Sequence, residues 1–125
     1  MKKVVWGVLS TARIGIDQVL PAMQASPLIE LRGIASRSLA AAQAAAQALG
    51  IPHAYGSYEE LLADPQIEAV YNPLPNHLHV EWTRKAAEAG KHVLCEKPID
   101  ITAKGAEELI AVRDRTGVHI QEAFM

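Results

Sequence analysis

Strand-like and helix-like sequence take turns along this chain, and that alternation limits the fold more than any other feature. Short apolar or β-branched runs stand at Val4–Leu9, Leu31–Ala35, Ala69–Asn72, His92–Cys95 and Val118–Gln121, each closed by turn residues or a helix end. Between them, Arg13–Ala25, Leu39–Leu49, Tyr58–Ala63, His79–Ala89 and Ala103–Arg115 read as helices. The alanine-rich stretch from Leu39 to Leu49 is an ordinary helix in this reading, because alanine is the best helix former and Gly50 supplies a C-cap. Pro21 is expected to kink or end the first helix near Val19 and Leu20. Alternating elements joined by right-handed crossovers predict an α/β fold, a doubly wound parallel sheet covered by helices on both faces. No linker, repeat or charge block divides the chain, so its 125 residues, half of them hydrophobic, are expected to form a single domain with one core.

Composition narrows the partner. A formal net charge of -2 without a basic run disfavours a nucleic acid or a membrane surface, since both require a concentrated positive face. A small molecule is the expected ligand. Cys95 is the sole cysteine, which removes a disulfide framework and a cysteine-based zinc site within the chain. His77 and His79, two residues apart, diverge on a helix, and no metal site is expected from them. Lys2 and Lys3 lead into a strand and not into a signal-peptide core, so the expected location is cytoplasmic.

In a doubly wound sheet, ligands sit beyond the carboxyl ends of the strands, where the strand order reverses. The turn after the first strand places Ser10, Ala12 and Gly15 at the G-x-G-x-x-G spacing, with glycine only at the last position. Serine serves at the first position if its φ stays negative. Alanine at the second puts one methyl between backbone and pyrophosphate. Gly15 lets the helix approach the strand, the hydroxyls of Ser10 and Thr11 add donors near a helix N-terminus, and Arg13 adds a charge partner. Ser10, Thr11, Ala12, Arg13, Ile14 and Gly15 thus form the first candidate cofactor-binding segment, although an ordinary strand-to-helix turn has a similar composition. After the second strand, Ala35-Ser36-Arg37 stand where an NAD site usually carries an acid. With no carboxylate there and a guanidinium present, Ser36, Arg37 and Ser38 favour the 2′-phosphate of NADP over NAD, which remains possible. The alternative is an exposed arginine ahead of a helix that Ser38 caps.

The stretch VYNPLPNHLHVEWTRKAAEAGKHVLCEKPI is the most specific. Pro75, Asn76 and His79 form a P-N-x-x-H turn, Gly90 to Val93 read G-K-H-V, and Glu96-Lys97-Pro98 read E-K-P. In this order and spacing the chain resembles the N-terminal domain of the glucose-fructose oxidoreductase, inositol dehydrogenase and MocA family (Gfo/Idh/MocA). The resemblance runs from Met1 to the end, where GVHIQEAFM is similar to that family's sixth strand entering the crossover to a second domain. It implies a Rossmann fold, a nicotinamide dinucleotide cofactor, and Lys97 as the catalytic proton carrier. Lys97 follows a buried strand, where partial desolvation is expected to ease proton exchange. A cis bond before Pro98 would aim the lysine into the cleft, and Glu96 would orient the cofactor or the lysine. His79 is implied to lie near the nicotinamide half, with Tyr71, Asn72, Pro73, Leu74 and Asn76 as the wall there. Because this chain ends at Met125, it is expected to be the cofactor half of an oxidoreductase acting on a sugar, polyol or diol, binding cofactor without turnover by itself. Family members are usually homo-oligomers and carry the substrate domain. A free-standing dinucleotide-binding module, acting as a sensor or assembly partner, is the other reading.

Overall fold

Hydroxyl side chains start three of the helices and glycines end two. Ser38, Ser57 and Thr102 accept the backbone N–H of Ala41, Glu60 and Gly105 at 3.2, 3.1 and 3.1 Å, opening helices α2 (Leu39–Leu49), α3 (Tyr58–Leu62) and α5 (Ala103–Thr116). Each such cap contributes on the order of 1 kcal/mol. Gly50 and Gly117 close α2 and α5 with φ of 70° and 76°, a left-handed backbone that glycine adopts without a Cβ penalty. These details come from a computed structural model of the chain, which describes residues 2–11, 18–97 and 102–122.

Six strands form one sheet in which every neighbouring pair is parallel: β1 (Val4–Leu9), β2 (Ile29–Ala35), β3 (His53–Tyr55), β4 (Ala69–Asn72), β5 (His92–Cys95) and β6 (Ile120–Glu122). The order is β3-β2-β1-β4-β5-β6. The chain builds outward from β1 to β3, crosses back through α3 to the far side of β1, and builds outward again through α4 (His79–Glu88) and α5. The doubly wound parallel sheet expected from the alternation is therefore present, with its reversal between β1 and β4.

Side chains alternate between two layers of core. On one face Val8, Ile34 and Tyr71 pack with Leu20 and Met23 of α1 (Leu20–Ala25) and with Ala45 and Ala46 of α2. On the other, Leu9, Val70, Val93 and Cys95 pack with Leu61 of α3 and with Trp82 and Ala86 of α4. Gly7 lets α3 approach β1, for a Cβ there would lie 2.8 Å from Leu61 Cδ2 and 3.0 Å from Ile67 Cδ1.

The elements differ from the expected ones in several places. β3 is a strand of three residues, too short to show a periodicity, and it was not anticipated. Pro21 sits in the first turn of α1, where a residue needs no N–H partner within the helix, and the regular α-helix begins at Leu20, at the place where the proline was expected to kink or end it. Gln18 and Val19, just before it, have π-helical geometry, and the remainder of the expected first helix, residues 13–17, lies outside the described residues. β2 begins two residues earlier than expected, at Ile29, and β6 is displaced to Ile120–Glu122. No helix among the described residues is long and apolar enough to cross a membrane.

Candidate functional site

Where the strand order reverses, the loops after β1, β2 and β4 diverge and leave a cleft of about 470 Å³. One wall is polar, formed by Ser10, Thr11, Ser36 and Arg37. The other is formed by Leu74, Pro75, His77 and Leu78, with Tyr58 at the start of α3 between the two. Among the described residues, no carboxylate lines it. A smaller hollow of about 210 Å³ between α5 and β6 is lined, among the described residues, by Arg113 and apolar side chains, and lies away from the reversal.

Ser10 leaves β1 with φ of 154°, on the positive side that favours glycine. The expectation of a negative φ is therefore corrected: serine occupies a glycine-like backbone at the first fingerprint position. Its neighbour Thr11 is half-buried in the same wall. Ala12, Arg13, Ile14 and Gly15, and likewise Pro98, lie outside the described residues.

In the turn after β2, Ser36 donates its backbone N–H to Tyr55 O at 3.1 Å, and its Oγ accepts the N–H of Ser38 at 3.2 Å. Ser38 caps α2. Arg37 and Ser38 are both exposed, and of these two Arg37 lines the cleft, beside Tyr58. Burial pushes the Tyr58 phenol up, and the nearby Arg37 charge works against that shift. Tyr58 itself is fixed by an edge-on contact with Trp82, with ring centroids 5.0 Å apart.

The turn after β4 is built from inside. Asn72 and Thr83 are fully buried and His79 is 1% exposed. Asn72 Nδ2 donates to Thr83 Oγ1 at 3.1 Å and to His79 O at 3.4 Å, while its Oδ1 accepts the Leu74 N–H at 3.2 Å. The imidazole Nε2 of His79 then bonds Leu74 O at 2.6 Å, and because a carbonyl only accepts, that nitrogen carries a proton. Both backbone groups of Leu74 are thereby held, and its side chain is set into the cleft wall.

Of the wall residues implied by the resemblance, Leu74 lines the cleft. Tyr71, Asn72, Pro73 and His79 are buried behind it, and Asn76 is exposed outside its lining. Pro75, His77, Leu78 and Tyr58 line the cleft without having been singled out as cofactor-binding. Helical spacing in the Asn76–Leu78 3-10 turn, followed by α4 from His79, is the signal that separates outward His77 from inward His79.

At the end of β5, Cys95 is buried and its thiol is pushed up to about 12, chiefly by burial. The half-buried Glu96 donates its backbone N–H to Asn72 O at 3.0 Å, and its carboxylate accepts the hydroxyl of Tyr71. Lys97 follows at the carboxyl edge of the sheet. Its side chain is exposed, so the burial expected around it is not supplied by the described residues. Among the described residues, no three of His, Cys, Asp and Glu gather in a way that holds a metal ion.

The donor set suits a dinucleotide. Hydroxyls and an exposed guanidinium, with no acid among the described lining residues, match phosphate, and Tyr58, Leu74 and Leu78 offer apolar surface to a base.

Residues 4–124 match a family model described as an oxidoreductase family with an NAD-binding Rossmann fold, GFO_IDH_MocA. The chain is 55% identical over 125 residues to an uncharacterized oxidoreductase of Rhizobium meliloti, covering all of this chain and 37% of that protein. It is 52% identical over 120 residues to a D-xylose 1-dehydrogenase (NADP(+)) of Haloferax volcanii, covering 96% of this chain and 37% of the relative. The structure superposes on the 3-ketoreductase KijD10 of Actinomadura kijaniata, solved with TDP-benzene and NADP, with a TM-score of 0.94 at 39% identity, over 98% of this chain and 39% of that one. The chain thus spans little more than a third of the length of these relatives. Family model, sequence identity and fold agree, and the chain belongs to the Gfo/Idh/MocA oxidoreductase family as an NAD-binding Rossmann fold.

Proposed function

We propose that this chain is the cofactor-binding part of an NADP-dependent oxidoreductase, with the 2′-phosphate held at Ser36, Arg37 and Ser38 and with Lys97 as the catalytic proton carrier. The observation that carries the reading is an exposed Arg37 in a cleft at the strand reversal, with no carboxylate among the described lining residues. A guanidinium pairs with a phosphate through two parallel N–H groups, whereas a ribose hydroxyl offers it no charge. The similarity to an NADP(+)-dependent D-xylose dehydrogenase and to the NADP-bound 3-ketoreductase supports the same cofactor, and together with 39% identity to a trans-1,2-dihydrobenzene-1,2-diol dehydrogenase of Xenopus laevis it supports a carbinol or ketone of a sugar or diol as the reacting group.

Bound in this cleft, a nicotinamide dinucleotide supplies a hydride donor or acceptor. The residues of the chain do the rest. Ser10 and Thr11 donate to the pyrophosphate, while Leu74 and Leu78 exclude water from the base. Lys97 Nζ exchanges a proton with the substrate hydroxyl oxygen at the carboxyl edge of β5, and Glu96 fixes the turn that presents it. The substrate's own half of the cleft belongs to a second domain in the full-length protein, which supplies the orientation on which transfer depends.

Fluorescence titration of the chain with NADPH and NADH tests the assignment. NADPH is expected to bind more tightly, and Arg37→Ala to weaken it about 10- to 100-fold while leaving NADH nearly unchanged, the scale for losing hydrogen bonds to a charged group. Equal curves for the two cofactors, unaffected by the substitution, would overturn it.

A further inference from the structure

We propose that Tyr71 is a positioning residue for the Glu96–Lys97 turn, fastening the Glu96 carboxylate from inside the sheet so that the backbone presents Lys97 in one direction. The inference rests on the reading of the chain as a cofactor-binding part and assigns Tyr71 a place behind the wall instead of in it.

Tyr71 is fully buried, its ring packed in the core layer of α1 and α2. A phenol in that position needs a partner, because an unpaired buried hydroxyl forfeits its hydrogen bonds to water. Its partner is the Glu96 carboxylate, one strand away. Burial first, and then this carboxylate, raise the phenol well above its ordinary range, so it remains a donor. The adjacent residue of β4 makes the second attachment, since Asn72 O accepts the Glu96 N–H at 3.0 Å. Glu96 is therefore held at both backbone and side chain by consecutive residues of one strand. A glutamate at a strand end ordinarily samples many rotamers, and a fixed one directs the peptide that follows. Lys97 is that next residue, and it inherits the direction. Asn72 meanwhile holds the turn after β4, so the last two residues of one strand set two sides of the site, and the two are coupled through its backbone.

Tyr71→Phe removes the hydroxyl and keeps the ring, so core volume is preserved. Hydrogen exchange read residue by residue is expected to accelerate about 10-fold at the amides of Glu96 and Lys97, with Val93 and Leu94 unchanged. The NADPH dissociation constant of the same chain is expected to rise about 5-fold. Glu96→Ala, which removes no core side chain but strands the Tyr71 hydroxyl, should accelerate Lys97 in the same way, and the double variant should be no worse than the poorer single one. Unchanged exchange at Glu96 and Lys97 would overturn the proposal, and so would acceleration spread along β5, which marks a merely structural ring. Local acceleration with unaltered NADPH binding overturns the positioning role as well. Absence of NADPH binding by the wild-type chain defeats the cofactor reading instead, and the exchange pattern then decides by itself whether Tyr71 fastens the turn.

Discussion

The two ends of the sheet each contain a cluster of polar side chains, and they are built differently. At the carboxyl end, Asn72, Thr83 and His79 are joined by an amide, a hydroxyl and an imidazole, with no carboxylate among them. At the amino end, Asp64, in the turn leading into β4, accepts from Arg32 Nε at 2.8 Å, from the Tyr55 hydroxyl at 2.5 Å and from the Gln66 N–H at 2.9 Å. Lys91, just before β5, donates to the Asp64 backbone oxygen at 2.7 Å. Arg32 is available because β2 has a bulge against β1: Trp6 pairs with Leu31 and Gly7 with Gly33, leaving Arg32 as the extra residue. The difference teaches where pH can act. Ion pairing ties the bottom of the sheet together, while the turn after β4 depends on hydrogen bonds of an amide, a hydroxyl and an imidazole, and the carboxylate at this end, Glu96, is bonded to the neutral Tyr71 hydroxyl.

The largest effect is expected from the buried cluster. Asn72→Leu strips the Leu74 N–H of its acceptor and Thr83 of a donor inside the core, a loss of about 3 kcal/mol in urea denaturation. Adding Thr83→Val should recover part of it, because removing both partners costs less than stranding one. A loss under about 1 kcal/mol would mean that the network does not hold the wall.

Asp64 gives the smaller effect with a distinctive pH dependence. Burial alone would raise its carboxyl, but the hydrogen bonds from Tyr55, Arg32 and the Gln66 N–H outweigh that and hold it at about 2, below the ordinary 3.8. A depressed carboxyl pKa adds stability that is complete above the unfolded value and disappears as pH falls from about 4 toward 2. Asp64→Asn should lower the melting temperature by about 5 °C at pH 7, a modest shift because Arg32 is partly open to solvent. Between pH 5 and 2 the variant should then converge on wild type. Parallel melting curves over that window would remove the carboxylate from the account.

The contrast also explains what the sequence made legible. Alternation exposed the sheet because its period is a property of every element, and Ser38 and Gly50 announced the ends of α2 through local backbone chemistry. Glu96 and Lys97 were visible as a motif in order. The inward direction of His79 was not, because motif spacing says which residues share a turn and only packing against Leu74 and Asn72 says which one enters the core. Ser10 was misjudged for a related reason: its φ of 154° is set by how the chain leaves β1, and serine carries no sign of it. The bulge at Arg32 and the attachment of Glu96 to Tyr71 each join residues from different strands, so neither has a local signature.

The central claim is that the dinucleotide lies at the strand reversal. A titration of the nitrogen-15-labelled chain with NADPH, followed by backbone amide shifts, tests it most directly. The account predicts shifts concentrated at Ser10, Thr11, Ser36–Ser38 and Leu74–Leu78, with Asp64, Gln66 and Lys91 at the opposite end unmoved. Shifts gathered instead around the hollow of about 390 Å³ beside Lys2, Gln66 and Glu68 would contradict it.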